Sequence, residues 1–102
     1  MRISIFKMKD DKEEMWKEWG KYLTDNKGEV IETLKEENVD MEFSFTFTVG
    51  EEKYMAIGMI GDDIKQSTER PLNLMHRAKI GECVVERVSR GEFVYCIENN
   101  NS

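Results

Sequence analysis

A chain of 102 residues, 39% hydrophobic and 35% charged, supports one soluble domain with a single core and leaves no room for a second. A formal net charge of −6 speaks against nucleic acid as the partner, because phosphate binding rests on clustered Lys and Arg. No apolar run approaches the length of a membrane span, and two cysteines without a signal-peptide pattern point to reduced thiols in the cytoplasm.

The opening "RISIFKM" is short, β-branched and aromatic, and predicts a first strand. In the following "KDDKEEMWKEWGKYL", Asp10 and Asp11 stand three residues before Glu13 and Glu14. That spacing predicts a helix N-cap with reciprocal acids, favoured also by the helix dipole. At about 100° per residue, Met15, Trp16, Trp19, Leu23, Val30 and Leu34 share one face. The alignment favours one long helix with a kink near Gly28; a break there is the alternative. Both tryptophans lie on the buried stripe and read as core, and Asn38 is the stop signal.

"DMEFSFTFTV" alternates Met41, Phe43, Phe45, Phe47 and Val49 with Glu42, Ser44, Thr46 and Thr48, a half-buried strand. "GEE" predicts a turn and "KYMAIGMIG" the returning strand of a hairpin. After the irregular "DDIKQSTER", Pro71 is placed to start a second helix running to about Val85. "EFVYCI" then predicts the closing strand, and residues 99–102 a frayed tail to a single domain over 1–98. A rival parse makes "CVVERV" a strand, hairpinned to "EFVYCI" through "SRG". The favoured order is βαββαβ. It predicts a ferredoxin-like α+β sandwich, with both helices on one face of an antiparallel sheet.

If the helices cover the Phe43/Phe45/Phe47 face, the other face carries Glu42, Ser44, Thr46, Tyr54, Ala56 and Gly58. Its mixture of polar, small and aromatic residues suits closure by a second copy of the sheet. Such a homodimer would leave a cavity for a small-molecule ligand lined by Ser44, Thr46, Ala56 and Gly58. The alternative is a partly wet face with no ligand.

"NLMHRAKIGEC" holds the single histidine, His76, and one of the two cysteines, Cys83. On a helix from Pro71, Leu74, Met75, Ala78, Gly81 and Val85 form one stripe, expected to approach the sheet. Leu72, His76, Ile80 and Cys83 form a second. His76 and Cys83 are roughly 10 Å apart along the axis, too far for a nucleophile–base pair, and alone too few ligands for zinc. His76 therefore either packs as a hydrogen-bonded residue or works singly as acid, base or donor. No metal, nucleotide or flavin motif is present, so neither a metal nor a cofactor is expected. A disulfide between Cys83 and Cys96 is open in principle but nothing requires it.

With its opening strand, "KDDKEEMWKEWGKYL", "GEVIETLKEENVDMEFSF" and "RPLNLMHRAKIGEC", the chain resembles the domain-of-unknown-function 6176 family, which belongs with the dimeric α+β barrels. Pro71, His76, Glu82 and Cys83 match the family's proline, histidine and Glu-Cys spacing. Lys79 and Ile80 stand where relatives tend to have aromatic residues. The resemblance implies a dimeric α+β barrel and brings no established activity.

Two functions are therefore expected as alternatives. One is a dimeric small-molecule-binding domain with acid–base activity, its candidate catalytic residues being His76, Tyr54 and Glu42. The other is a non-catalytic homodimeric interaction module, whose sheet-to-sheet interface is filled.

Overall fold

The computed structural model describes residues 1–66 and 69–91, with isolated positions 95, 97 and 99. Among the described residues, four strands and three helices follow in the order β1 (Arg2–Met8), α1 (Glu13–Asp25), α2 (Lys27–Glu36), β2 (Met41–Val49), β3 (Glu52–Ile60), α3 (Pro71–Cys83) and β4 (Val84–Gly91). The fold is α+β, and every strand pair is antiparallel in a sheet ordered β2-β3-β1-β4. The element order is thus βααββαβ rather than the expected βαββαβ.

The extra helix arises at Asn26, not Gly28. Asn26 takes a non-helical φ of −113 and ψ of 36, and its side-chain amide donates to the Tyr22 carbonyl at 2.8 Å. An Asn side chain that competes for helix carbonyls in this way interrupts the ladder locally. Gly28 sits unremarked inside α2. Trp16 and Trp19 are buried, with Met15, Leu23 and Val30 packed around the core, so the expected stripe continues across the break.

The helix ends divide between expectation and correction. Lys12, not Asp10 or Asp11, is the residue before α1, and no side chain caps it. At the end of α2, Asn38 adopts φ 62. Its N–H donates to Lys35 and that of Val39 to Leu34, the paired bonds of a Schellman stop.

The last strand is also displaced. α3 stops at Cys83 and β4 begins at once with Val84, pairing with β1 through two register shifts. The "CVVERV" segment is therefore the strand, as in the rival parse. "EFVYCI", expected to close the sheet, lies largely outside the described residues, as do Cys96 and most of the tail. Cys83 is a free, buried thiol.

Sidedness brings the main correction. Residues opposite one another in an antiparallel ladder point to the same face. Register pairs Thr46 with Met55, Ser44 with Ile57, and Phe6 with Met55. Met8, Met55 and Ile57 pack with Trp16, Trp19, Leu72 and Cys83 in the core. The helices therefore cover the face bearing Glu42, Ser44 and Thr46. The phenylalanine row looks the other way, with Phe45 51% exposed.

Alternation had shown that β2 has two faces. Which face went inward was decided by β1 and β3, whose bulky residues share the face of Glu42 and Ser44. On the open face, β3 instead presents the buried Ala56 and Gly58. A Cβ on Gly58 would collide with the Phe43 ring; glycine here lets that ring lie flat across the sheet. Phe43, Phe45, Phe47 and Tyr54 then run on as a chain of ring contacts 5.5 to 6.4 Å apart.

α3 is reversed too. Leu72, Asn73 and Cys83 are buried and His76 and Ile80 half-buried, whereas Leu74 and Met75 are 45% and 43% exposed. The stripe expected to approach the sheet faces outward.

Candidate functional site

Beneath the helices, the polar edge of β2 meets the inward stripe of α3. Glu42 on β2 and His76 on α3 approach to 3.8 Å between Oε1 and Nε2, with side chains only 18% and 20% exposed. These two candidate residues, 34 positions apart in sequence, are brought together. The third, Tyr54, points from the opposite face and stacks on Phe47.

The four expected lining residues divide likewise. Ser44 and Thr46 lie on the inner face with Glu42, while Ala56 and Gly58 lie under the aromatic rings of the open face.

The tryptophans bind the polar edge as well as filling the core. Trp19 Nε1 donates to His76 Nδ1 at 2.9 Å, and Trp16 Nε1 donates to Ser44 Oγ at 3.0 Å. Ser44 in turn donates to the Ala56 carbonyl at 2.7 Å. Buried indole N–H groups need acceptors, and Ser44 and His76 supply them. Because Nδ1 accepts, the neutral imidazole carries its proton on Nε2, the nitrogen 3.8 Å from Glu42 Oε1. A second proton on Nδ1 would set two donors against each other. Burial works the same way and lowers the His76 pKa to about 4.

Glu42 moves oppositely. Burial, and secondarily the charge of Glu37, raise its pKa to about 7. Glu37 is itself 5% exposed. Its pKa is raised by burial, lowered by Arg77, raised by Glu36 and lowered by Arg2, in descending order of effect. The site thus holds a neutral histidine that donates, beside a carboxyl poised to give or take a proton near neutrality.

A cleft of about 300 Å³ adjoins the pair and is lined also by Arg2, Ser4, Glu37, Lys65, Asn73 and Arg77. Its rim is fastened to α2. Lys65 N–H donates to the Glu37 carbonyl at 2.7 Å, and the Asn38 side chain reaches the Asp63 carbonyl at 3.3 Å. Gly61 permits this approach, since a Cβ there would meet the Asn38 carbonyl oxygen. Arg70 forks onto both oxygens of Glu36 and ties the start of α3 to the same helix end.

Sequence reasoning missed Glu37, Arg2 and Asn73 as neighbours of the pair, and missed the polar ends of the tryptophans. One signal was available: two indoles on a buried stripe require acceptors on whatever packs against them. Among the described residues, no group of three His, Cys, Asp or Glu side chains is arranged to hold a metal ion.

Fold and site together define a small α+β protein with a half-buried carboxyl–imidazole pair beneath its helical layer. The chain belongs to the family of unknown function DUF6176, whose model it matches over residues 1–101. No curated protein and no solved structure matches it. No helix among the described residues is long and apolar enough to cross a membrane.

Proposed function

We propose that this protein is a small-molecule-binding domain with acid–base activity, working in the cleft between sheet and helices. The observation that carries the reading is the Glu42–His76 pair, half-buried at 3.8 Å beside a cleft of ligand size. Glu42 is the proton donor or acceptor, and His76 Nε2–H is the hydrogen-bond donor that orients a carbonyl or hydroxyl of the ligand. Tyr54 has no part in it.

A fragment screen followed by NMR tests this directly. Ligands should shift the His76 imidazole and Trp19 indole resonances and raise the melting temperature, and Glu42→Gln should weaken their effect. A screen in which no compound moves those signals would remove the basis for the reading.

We further read the chain as ferredoxin-like, one half of a homodimeric α+β barrel, with the twin sheet covering the open face. The support is the apolar row Met41, Phe45 and Val49, 51 to 60% exposed on one flat face. The same row favours the second reading, a non-catalytic homodimeric interaction module, in which that face is the whole function. Sedimentation at micromolar concentration should give a dimer, and Phe45→Asp a monomer. A wild-type monomer at that concentration would overturn the barrel. The buried free thiol of Cys83 suits a cytoplasmic setting.

A further inference from the structure

A second cleft, of about 510 Å³, lies on the other side of the Glu42–His76 pair. Both clefts are walled by Glu42, His76, Leu23, Val30 and Ile57, so they adjoin at the pair and make up a trough beside α2. The ends differ in chemistry. The first brings the cations Arg2, Lys65 and Arg77 to the carboxyls Glu37 and Glu42. The second is lined by Ile31, Leu34 and both tryptophans, with Lys27 the one Lys or Arg among its described lining residues. α2 roofs the trough with Val30, half-buried and packed against the core, and Ile31, 40% exposed.

Resting on the small-molecule reading above, we propose that the trough binds a small amphipathic anion. Its monoanionic head lies among Arg2, Lys65 and Arg77, and its apolar body passes the pair to lie along α2 toward Ile31 and Leu34. Three cations line the head end, one of them, Arg77, already paired with Glu69 at 3.3 Å, and burial drives Glu37 and Glu42 toward their neutral forms, so the field there favours a negative charge. At the other end each methylene removed from water improves affinity by about fourfold.

The head arrives beside Glu42, and an anion there favours the protonated carboxyl. His76 lies 3.8 Å from Glu42 and the charge of Glu37 acts on it; Arg77 on α3, Arg2 on β1, Lys65 before α3 and Lys27 on α2 are the other charged groups that line the two clefts with it. His76 stays neutral near pH 7, because its pKa is lowered to about 4, so Glu42 takes up the linked proton. Affinity then weakens as pH rises above 7, by up to about tenfold per unit.

The test is titration of the full chain with octanoate, hexanoate, octanol and octylamine, by calorimetry and by NMR of the indole and imidazole signals. Octanoate should bind, and hexanoate should bind roughly fifteenfold more weakly. Octanol should be weaker than octanoate, and octylamine should not bind. The double variant Arg2→Gln, Lys65→Gln, its fold checked by its amide spectrum, should lose about tenfold for octanoate and little for octanol. Glu42→Gln should abolish the loss of octanoate affinity between pH 6.5 and 8.5.

Octanol or octylamine binding as tightly as octanoate would overturn the anion, as would octanoate affinity untouched by the double variant. If other fragments shift the His76 signal and octanoate does not, this proposal falls while the binding site stands. If nothing shifts it, both fall.

Discussion

The two faces of the sheet divide the molecule's work through the sizes of their side chains. Under the helices, β3 contributes Met55 and Ile57, large residues that fill the centre, and the polar edge of β2 leaves a trough. On the open face the same strand contributes Ala56 and Gly58, so the rings of β2 fold over a nearly flat centre. A concave face with buried polar groups suits a small ligand. A flat apolar face suits another protein surface. The lesson is that the polar row of β2 faces the core and its aromatic row faces out, the reverse of the simple rule, because β1 and β3 outvote it.

The sharpest way to break this comparison is to truncate one residue from each face. Met55→Ala removes a fully buried side chain and should cost about 2–5 kcal/mol in urea unfolding. Phe45→Ala, measured at concentrations low enough to keep the chain monomeric, should cost about 1 kcal/mol. Equal losses would mean that the faces are not distinguished as described.

The half-buried pair sharpens it through pH. Glu42 has its folded pKa raised to about 7 from 4.5, so the unfolded chain releases that proton first and stability falls as pH rises between those values. His76 has its folded pKa lowered to about 4 from 6.5, so the unfolded chain takes up that proton first and stability falls as pH drops between those values. Across their overlap the two slopes oppose each other, each about 1.4 kcal/mol per pH unit at most. Wild type should therefore be nearly flat from pH 4.5 to 6.5 as far as this pair decides. Glu42→Gln should lose stability on acidification through that range, and His76→Asn should lose it on raising the pH toward 7. Variants with parallel pH profiles would show that the pair is not buried together.

On the open face, Gly58→Ala should cost about 1–3 kcal/mol by forcing the Phe43 ring aside, with the ring's NMR signals moving as the visible consequence. The smallest effect is expected at the link between core and site. Trp19→Phe deletes the donor to His76 Nδ1 at a cost of about 1 kcal/mol, and frees that nitrogen to take a proton. The His76 pKa, followed by its imidazole resonances, should rise above about 4 while burial still holds it below its usual value. An unchanged titration would mean that the indole does not hold the tautomer.

Much of this was legible along the chain. The alternation of "MEFSFTFTV" shows as β2, and the Trp16/Trp19 stripe shows as a buried helix face. Asn38 shows as a stop, and Pro71 opens α3. Less legible were features set by local competition. The break at Asn26 depends on which carbonyl a side-chain amide finds. The boundary between α3 and β4 depends on pairing with β1; locally, "GECVVERV" reads equally as the end of a helix or the start of a strand. Of the candidate site, Glu42, Ser44 and His76 were named from the sequence, but beside Tyr54, Ala56 and Gly58, which share no face with them.

Periodicity by itself determined that β1, β2, β3 and α3 form, that the Trp16/Trp19 segment is helical, and which residues travel together on one side, because dihedral geometry repeats every two or 3.6 residues whatever surrounds it. The direction in which each side points was decided only by tertiary structure. Orientation is a property of the whole sheet: once Phe6, Met55 and Ile57 must be buried together, register carries Glu42 inward to His76 and turns the phenylalanines out.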